Sequence, residues 1–74
     1  MNADYEKALG RNIRRLRIAR GLSQEQLAAQ LQVRGCDVTR SALAKMEVGQ
    51  RHIYPDELMH LRNILCISYD ELFV

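Results

Sequence analysis

Apolar residues near the start of the chain recur at the spacing of an α-helix. Four of them follow one another at intervals of four, four and three residues, which places them on one stripe of a helix surface. These residues are Tyr5, Leu9, Ile13 and Leu16. The stripe predicts a first helix over about residues 3–20, with Gly21 as the residue that ends it.

The same periodicity predicts two helices in the middle of the chain. The second spans about residues 24–34 and ends at Gly35, and the third spans about residues 40–48 and ends at Gly49. The residues expected to face inward are Leu27, Ala28 and Leu31 in the second helix and Leu43 and Met46 in the third.

Two more helices are predicted towards the end of the chain. Pro55 suits the first position of a fourth helix, and Asp56 and Glu57 suit its positive end. Its buried face is expected to consist of Leu58, Leu61 and Leu65. A short fifth helix follows Ser68, and no segment alternates with the period of a strand. We therefore predict one compact all-α domain of five short helices over residues 1–74.

Three hydroxyl residues mark predicted helix starts, because each follows an apolar residue and precedes a helical pattern. They are Ser23, Thr39 and Ser68. A hydroxyl at this position accepts a hydrogen bond from a free amide of the first turn. Gln26 and Glu71 stand three residues after the first and last of them, which completes a capping box at both places.

Composition narrows the class of protein further. A hydrophobic share of 47% indicates a globular chain, and no run of about 18 apolar residues or charged-then-apolar leader is present. Two cysteines without the paired spacing of a metal site indicate a reduced, cytoplasmic protein. We expect Cys66 to act as a half-buried apolar residue and Cys36 to lie in a loop.

The sequence offers no convincing catalytic, metal or cofactor site. His52 and His60 have no evident acidic partner, and Cys36 has no neighbouring histidine to activate its thiol. A zinc site would have to combine these three residues with Cys66, which requires an unusual fold. We expect a protein that is not an enzyme and needs no cofactor or metal.

Charge is distributed unevenly along the chain. Residues 7–51 contain ten lysines and arginines against three acidic residues, a net charge of +7, whereas the remaining residues carry −5. This asymmetry indicates that one part of the molecule binds an anion.

The third predicted helix concentrates small and basic side chains on one face. With Leu43 and Met46 inward, a turn of 100° per residue points Ser41 and Lys45 outward, and Arg40 projects from the helix start. Slim side chains with hydrogen-bond donors are what a helix in the DNA major groove needs. An ordinary solvated face is the other interpretation of the same pattern.

The order of these elements resembles the helix-turn-helix domains of phage repressors and Cro, the xenobiotic-response-element type. The resemblance depends on four segments that cover nearly the whole chain. They are Ile13-Arg14-Arg15-Leu16-Arg17, Gly21-Leu22-Ser23-Gln24-Glu25-Gln26-Leu27-Ala28, Ser41-Ala42-Leu43-Ala44-Lys45-Met46-Glu47-Val48-Gly49 and Leu65-Cys66-Ile67-Ser68-Tyr69-Asp70-Glu71-Leu72-Phe73. It implies a lambda-repressor-like fold in which helices 2 and 3 form the helix-turn-helix.

The resemblance also implies a function and roles for matching residues. It implies a transcriptional regulator, expected to be a repressor, that binds double-stranded DNA with its third helix in the major groove. Base reading is assigned to Arg40, Ser41 and Lys45, and contact with the DNA backbone to Gln24, Thr39, Arg51 and His52. Arg11 and Arg15 are weaker backbone candidates that charge alone suggests.

The resemblance further implies a homodimer on a two-fold operator. Apolar residues near the end of the chain, Tyr69, Phe73 and Val74, are candidates for the contact between the two copies. Closure of the core by Phe73 is an equally good interpretation of that residue.

Glu47 is expected to have a structural role. The helical wheel places it on the inward flank of the third helix, and Arg17 lies on a similar flank of the first. A half-buried carboxylate needs a partner, and members of the resembled family pair an arginine with a glutamate at these positions. We predict an Arg17–Glu47 ion pair that fixes the third helix.

Two features depart from the family pattern. Gln32 stands where glycine is common, and about five extra residues lengthen the turn before Ser41. The sequence does not decide whether this turn contacts DNA, a partner or nothing. Val48 stands where asparagine is common, and it cannot bind a phosphate through its side chain.

A protein-binding adaptor, or an antitoxin-type module that binds both DNA and a protein, is the main alternative function. The fold alone does not distinguish these functions. A purely protein-binding domain would favour apolar residues on the outward face of the third helix, where Ala44 and Val48 flank the polar side chains.

Overall fold

The computed structural model describes residues 3–73, which form five α-helices in a compact arrangement. The helices are α1 (Ala3–Ala19), α2 (Gln24–Val33), α3 (Arg40–Glu47), α4 (Pro55–Leu65) and α5 (Tyr69–Leu72). No strand occurs among these residues, so the predicted all-α fold is confirmed. Within the same range, no helix has the length and apolar character needed to cross a membrane.

The predicted helix caps are present. The hydroxyl of Ser23 accepts a hydrogen bond from the Gln26 amide at 3.0 Å, and that of Thr39 accepts from the Ala42 amide at 3.1 Å. Ser68 accepts from the amide of Glu71 in the same way. These contacts satisfy amides that the first turn of a helix leaves without a partner, so they determine where α2, α3 and α5 begin.

One hydrophobic core joins all five helices. Its members are Leu9, Ile13, Leu16, Leu27, Ala28, Leu31, Cys36, Val38, Leu43, Met46, Ile53, Leu61, Leu65 and Leu72. Two residues expected inside lie nearer the surface, since Tyr5 is exposed and Leu58 is only partly buried. Tyr5 stands at the start of α1, beyond the part of the helix that the core covers.

The lengthened turn between α2 and α3 contributes to the core. Gly35 takes the left-handed conformation (φ 77°), which lets the Cys36 amide turn back and donate to the Leu31 carbonyl at 2.9 Å. The side chains of Cys36 and Val38 are both buried, and the Gln32 amide donates to Asp37 at 3.1 Å. The extra residues therefore form an ordered support for the start of α3.

The loop position expected for Cys36 is confirmed, whereas the half-buried position expected for Cys66 is wrong. The side chain of Cys36 nevertheless turns inward and is buried. Burial is the largest cause that raises the pKa of the Cys36 thiol, and the nearby carboxylates of Glu57 and Asp56 raise it further. Cys66 is exposed, because it occupies the left-handed position (φ 55°) that ends α4 and its side chain leaves the core. The sequence pattern predicts neither the burial of Cys36 nor the exposure of Cys66.

Close contact between α1 and the end of α3 depends on a glycine. A Cβ atom on Gly10 would collide with the main-chain carbonyl oxygen of Met46. The absence of a side chain at Gly10 therefore lets the two helix backbones approach each other closely. This contact fixes the carboxyl end of α3 on the body of the protein.

Candidate nucleic-acid interface

Helix α3 presents one buried side and one exposed side. Leu43, Met46 and Glu47 are buried. The predicted base readers, Arg40, Ser41 and Lys45, are all exposed. Over residues 3–73, none of these three side chains forms a hydrogen bond or an ion pair with another side chain or the main chain. Their donors are therefore available to a ligand.

An ion pair between α1 and α3 anchors the buried side of α3. Arg17 Nε lies 2.7 Å from Glu47 Oε2, and Arg17 Nη2 lies 3.1 Å from Glu47 Oε1, so the guanidinium donates to both carboxylate oxygens. The remaining Arg17 nitrogen, Nη1, donates to the Leu22 carbonyl at 2.8 Å. A paired guanidinium and carboxylate with these additional bonds are suited to burial.

Gln24 extends this network to the start of α2. Its Nε2 atom donates to Glu47 Oε1 at 3.0 Å, which makes Glu47 the meeting point of α1, α2 and α3. Gln24 is only partly buried. The residue expected to contact the DNA backbone thus also helps to orient the carboxylate that holds α3.

The hydroxyl oxygen of Thr39 serves as the N-cap of α3, as described above, and the residue itself is exposed. The oxygen accepts from the Ala42 amide, and the hydroxyl hydrogen remains available to a further acceptor. Thr39 can therefore cap α3 and donate a hydrogen bond to a ligand at the same time.

Arg51, expected to contact a phosphate, pairs with a carboxylate within the protein. Arg51 Nη1 and Nη2 donate to the two Glu57 oxygens at 2.9 and 3.0 Å. Burial raises the pKa of Glu57, but the hydrogen bonds from Arg51 and the Tyr54 amide outweigh it and hold that pKa below its usual value. The hydrogen bond with Glu57 raises the pKa of Arg51.

His52, the next residue, is paired as well. Its Nδ1 lies 2.8 Å from Glu6 Oε1, which ties the α3–α4 connection to the start of α1. The imidazole also packs edge-on against the Tyr54 ring, with centroids 4.7 Å apart. Sequence spacing gave no sign of the pairing with Glu6, because Glu6 is 46 residues away in the chain.

Other contacts that position the site were not predicted. Asn12 is buried in α1, and its Nδ2 donates to the main-chain carbonyls of Glu71 and Leu72 at 2.8 and 2.6 Å. Arg20 Nε donates to the Leu65 carbonyl at 2.8 Å. Both side chains satisfy carbonyls at helix ends that have no partner within the helix. A polar residue beside the apolar stripe of α1 is the one feature of the sequence that could have indicated a buried role for Asn12.

The two weaker candidates on α1 lie on its solvent-exposed side. Arg11 and Arg15 are both exposed, and Arg15 donates to Asn12 Oδ1 through Nη2 at 2.7 Å and Nε at 3.2 Å. Val48 is also exposed, immediately after α3. The structure therefore places an apolar side chain at the edge of the polar face of α3.

Comparisons with known proteins agree with this architecture. A family model described as a helix-turn-helix domain matches residues 8–72. The crystal structure of the restriction-modification controller protein C.AhdI from Aeromonas hydrophila superimposes with a TM-score of 0.84, at 34% identity over 96% of both chains. The DNA-binding domain of BldD superimposes with a TM-score of 0.83, at 23% identity over the whole of both chains. No curated protein matches significantly. The chain belongs to the helix-turn-helix domain family.

Proposed function

We propose that the protein is a transcriptional regulator that binds double-stranded DNA in a sequence-specific manner, with α3 in the major groove. This proposal depends on two observations: Ser41 and Lys45 are exposed on the side of α3 opposite the Arg17–Glu47 pair, and Arg40 is exposed at the start of the same helix. A rigid helix with free donors meets the geometric requirement of base recognition.

The three side chains suit different base edges. Arg40 and Lys45 are donors for the O6 and N7 acceptors of guanine, and the Ser41 hydroxyl donates or accepts. The structure at 34% identity is described as a restriction-modification controller protein, which supports a regulatory role for this chain. Repression follows if the bound protein blocks access to a promoter.

Contacts to the DNA backbone are proposed for four residues near α3. Thr39 and Gln24 lie at the starts of α3 and α2, where exposed helix amides and polar side chains suit a phosphate. Arg51 and His52 follow α3, and each is paired with a carboxylate of the protein. Because these two side chains already have partners within the protein, we expect a smaller contribution to affinity from Arg51 and His52 than from Arg40 and Lys45.

A homodimer on a two-fold operator is part of the proposal. Two copies would read half-sites about 34 Å apart. Tyr69 and Phe73 are 45% and 41% exposed and stack with centroids 6.3 Å apart, so they offer an apolar surface to a second copy. Val74, the third candidate, lies outside the described residues. A sedimentation experiment that finds only monomer, with and without DNA, would contradict this part.

The cytoplasm is the expected location of the protein.

The test of base recognition is selection of bound sequences from a random duplex pool. The wild-type chain should enrich one motif, and changing Arg40, Ser41 or Lys45 to Ala should relax preference at individual positions by about 1–3 kcal/mol. Val33→Ala, an exposed change on α2, is the control and should leave the motif unchanged. Recovery of an unchanged pool by the wild type, or the same motif from all three variants, would contradict the assignment.

The adaptor or antitoxin-type function has one observation in its favour, the exposed Val48 beside the polar face of α3. Affinity for random duplex measured against salt distinguishes the two functions. DNA binding predicts a steep loss of affinity as salt rises, because phosphate contacts release counterions. A domain that binds only protein would show no measurable affinity for duplex at low salt.

A further inference from the structure

The solvent-exposed side of α1 carries a groove that the proposed DNA interface does not use. The groove has a volume of about 520 Å³. Its lining residues are Ala8, Arg11, Asn12, Arg14, Arg15 and Ile18. Three guanidinium groups thus surround an apolar strip, and no acidic residue of the described chain lines it.

This groove lies to one side of the contact between α1 and α3. Helix α1 contacts α3 through Gly10 and Arg17, which lie within about 20° of each other on a helical wheel. On the same wheel Arg15, Arg11 and Ile18 lie about 140°, 100° and 80° from Gly10, and Arg14 lies nearest to it, at about 40°. Because α1 packs against the buried side of α3, a duplex on the exposed side of α3 would leave Arg11, Arg15 and Ile18 open.

Ile18 gives the groove an apolar centre that a solvated cationic face does not need. Its side chain is 50% exposed, so half of its surface is available for contact with a ligand. Ala8 adds a second small apolar surface. An apolar strip with charged edges is the usual composition of a protein-binding surface.

One of the cations is fixed in advance. Arg15 is held by Asn12 through two hydrogen bonds, and Asn12 is itself buried and bound to the main chain of α5. The Arg15 guanidinium still has Nη1, which this contact does not use. A cation that is already ordered loses less conformational entropy when it pairs with a ligand.

We propose that this groove binds an acidic segment of a partner protein, with an aliphatic side chain against Ile18 and Ala8 and carboxylates on Arg11, Arg14 and Arg15. Charge complementarity identifies the chemistry of the partner, and the apolar centre favours a peptide over a phosphate backbone. The inference goes beyond DNA binding and stands whether or not α3 recognises bases.

The test is an NMR titration of the full chain with a synthetic 16-residue peptide of Glu, Leu and Ala, with Leu at helical spacing. The peptide with Gln in place of Glu is the comparison. Saturable shift changes confined to the exposed side of α1 are expected with the Glu peptide alone. Arg11→Gln with Arg14→Gln, and Ile18→Ser separately, should each weaken binding about tenfold. Arg34→Gln and Val33→Ser, a cation and an apolar residue lining a second groove on α2, are matched controls and should have no effect.

Equal binding of both peptides, no saturable binding at low salt, or equal losses in the α2 controls would overturn the proposal. Two other occupants are tested with the same variants. If the Arg11/Arg14 variant loses as much duplex affinity as Arg40→Ala, the groove belongs to DNA. If the wild type sediments as a dimer and Ile18→Ser abolishes that dimer, a second copy of the chain occupies the groove. Occupation of the groove by DNA or by a second copy would contradict the binding of a partner peptide. A wild type that ignores duplex but binds the Glu peptide would reject only the DNA function.

Discussion

Arg17 and Glu47 form a two-pronged ion pair, with Nε 2.7 Å from Oε2 and Nη2 3.1 Å from Oε1, that joins the first helix to the carboxyl end of α3. Both side chains are almost completely buried. The side-chain amide of Gln24 donates a further hydrogen bond to the Glu47 carboxylate. Ser41 and Lys45 project from the opposite side of α3 and Arg40 projects from its first residue, so the position of α3 that this pair fixes determines how all three are presented.

Replacing Glu47 with Gln should lower stability substantially. The change leaves the Arg17 guanidinium buried without a charge partner, which costs about 3–5 kcal/mol. Chemical denaturation of the variant measures the loss. Glu25→Gln removes an exposed carboxylate from α2 and is the matched control, with an expected change below about 0.5 kcal/mol. Equal stability of Glu47→Gln and wild type would remove the anchoring role of the pair.

Acid should destabilise the protein partly through Glu57. Because its pKa in the folded state lies below the usual value of 4.5, the ionised carboxylate contributes stability that is present above that value. This contribution is lost as the pH falls from about 4.5 through the lower folded-state pKa. Free energies of unfolding between pH 7 and pH 2 should therefore fall less steeply for Glu57→Gln than for wild type. Identical slopes below pH 4.5 would contradict the coupling of Glu57 to Arg51.

Cys66→Gly should stabilise the fold. Cys66 has a φ of 55° at the end of α4, a conformation that a side chain disfavours and glycine adopts freely. After the greater flexibility of glycine in the unfolded chain is included, we expect a gain of about 0.5–1 kcal/mol. Cys66→Ala is the control, because it removes the thiol and keeps the strain. A stabilisation as large in the alanine variant would assign the effect to the sulfur.

Val38→Ala should destabilise the start of α3. Val38 immediately precedes the N-cap and is fully buried, as is Leu43 in the next turn, an arrangement that clamps the entry to a helix. Loss of the buried methyl groups should cost about 1–3 kcal/mol in thermal unfolding. Val33→Ala, at a valine that is 88% exposed, is the control for the same loss of side-chain volume at an exposed position. If the two variants unfold at the same temperature, the lengthened turn does not support α3.

Periodicity and capping were sufficient to predict the helices, since each depends on residues close together in the chain. The hydroxyls of Ser23, Thr39 and Ser68 mark the starts of their helices within the first turn that they cap. The inward position of Glu47 also followed from local geometry, because Leu43 and Met46 define the buried side of the same short helix.

Contacts between distant segments were not predictable in this way. The pairing of His52 with Glu6 depends on how the α3–α4 connection folds back onto α1. The burial of Cys36 depends on the direction that the chain takes after Gly35, and hydropathy alone does not specify that direction. The donation from Asn12 to the carbonyls of α5 likewise exists only once the helices are assembled.

Recognition of bases by the exposed side of α3 is measured by the ratio of affinities for the selected duplex and a random duplex at one salt concentration. The wild type should prefer the selected duplex strongly. Arg40→Ala should reduce the ratio about tenfold or more, whereas Arg34→Ala, an exposed arginine at the end of α2, should leave it unchanged. A wild-type ratio near one, or a ratio unaffected by Arg40→Ala, would contradict the account.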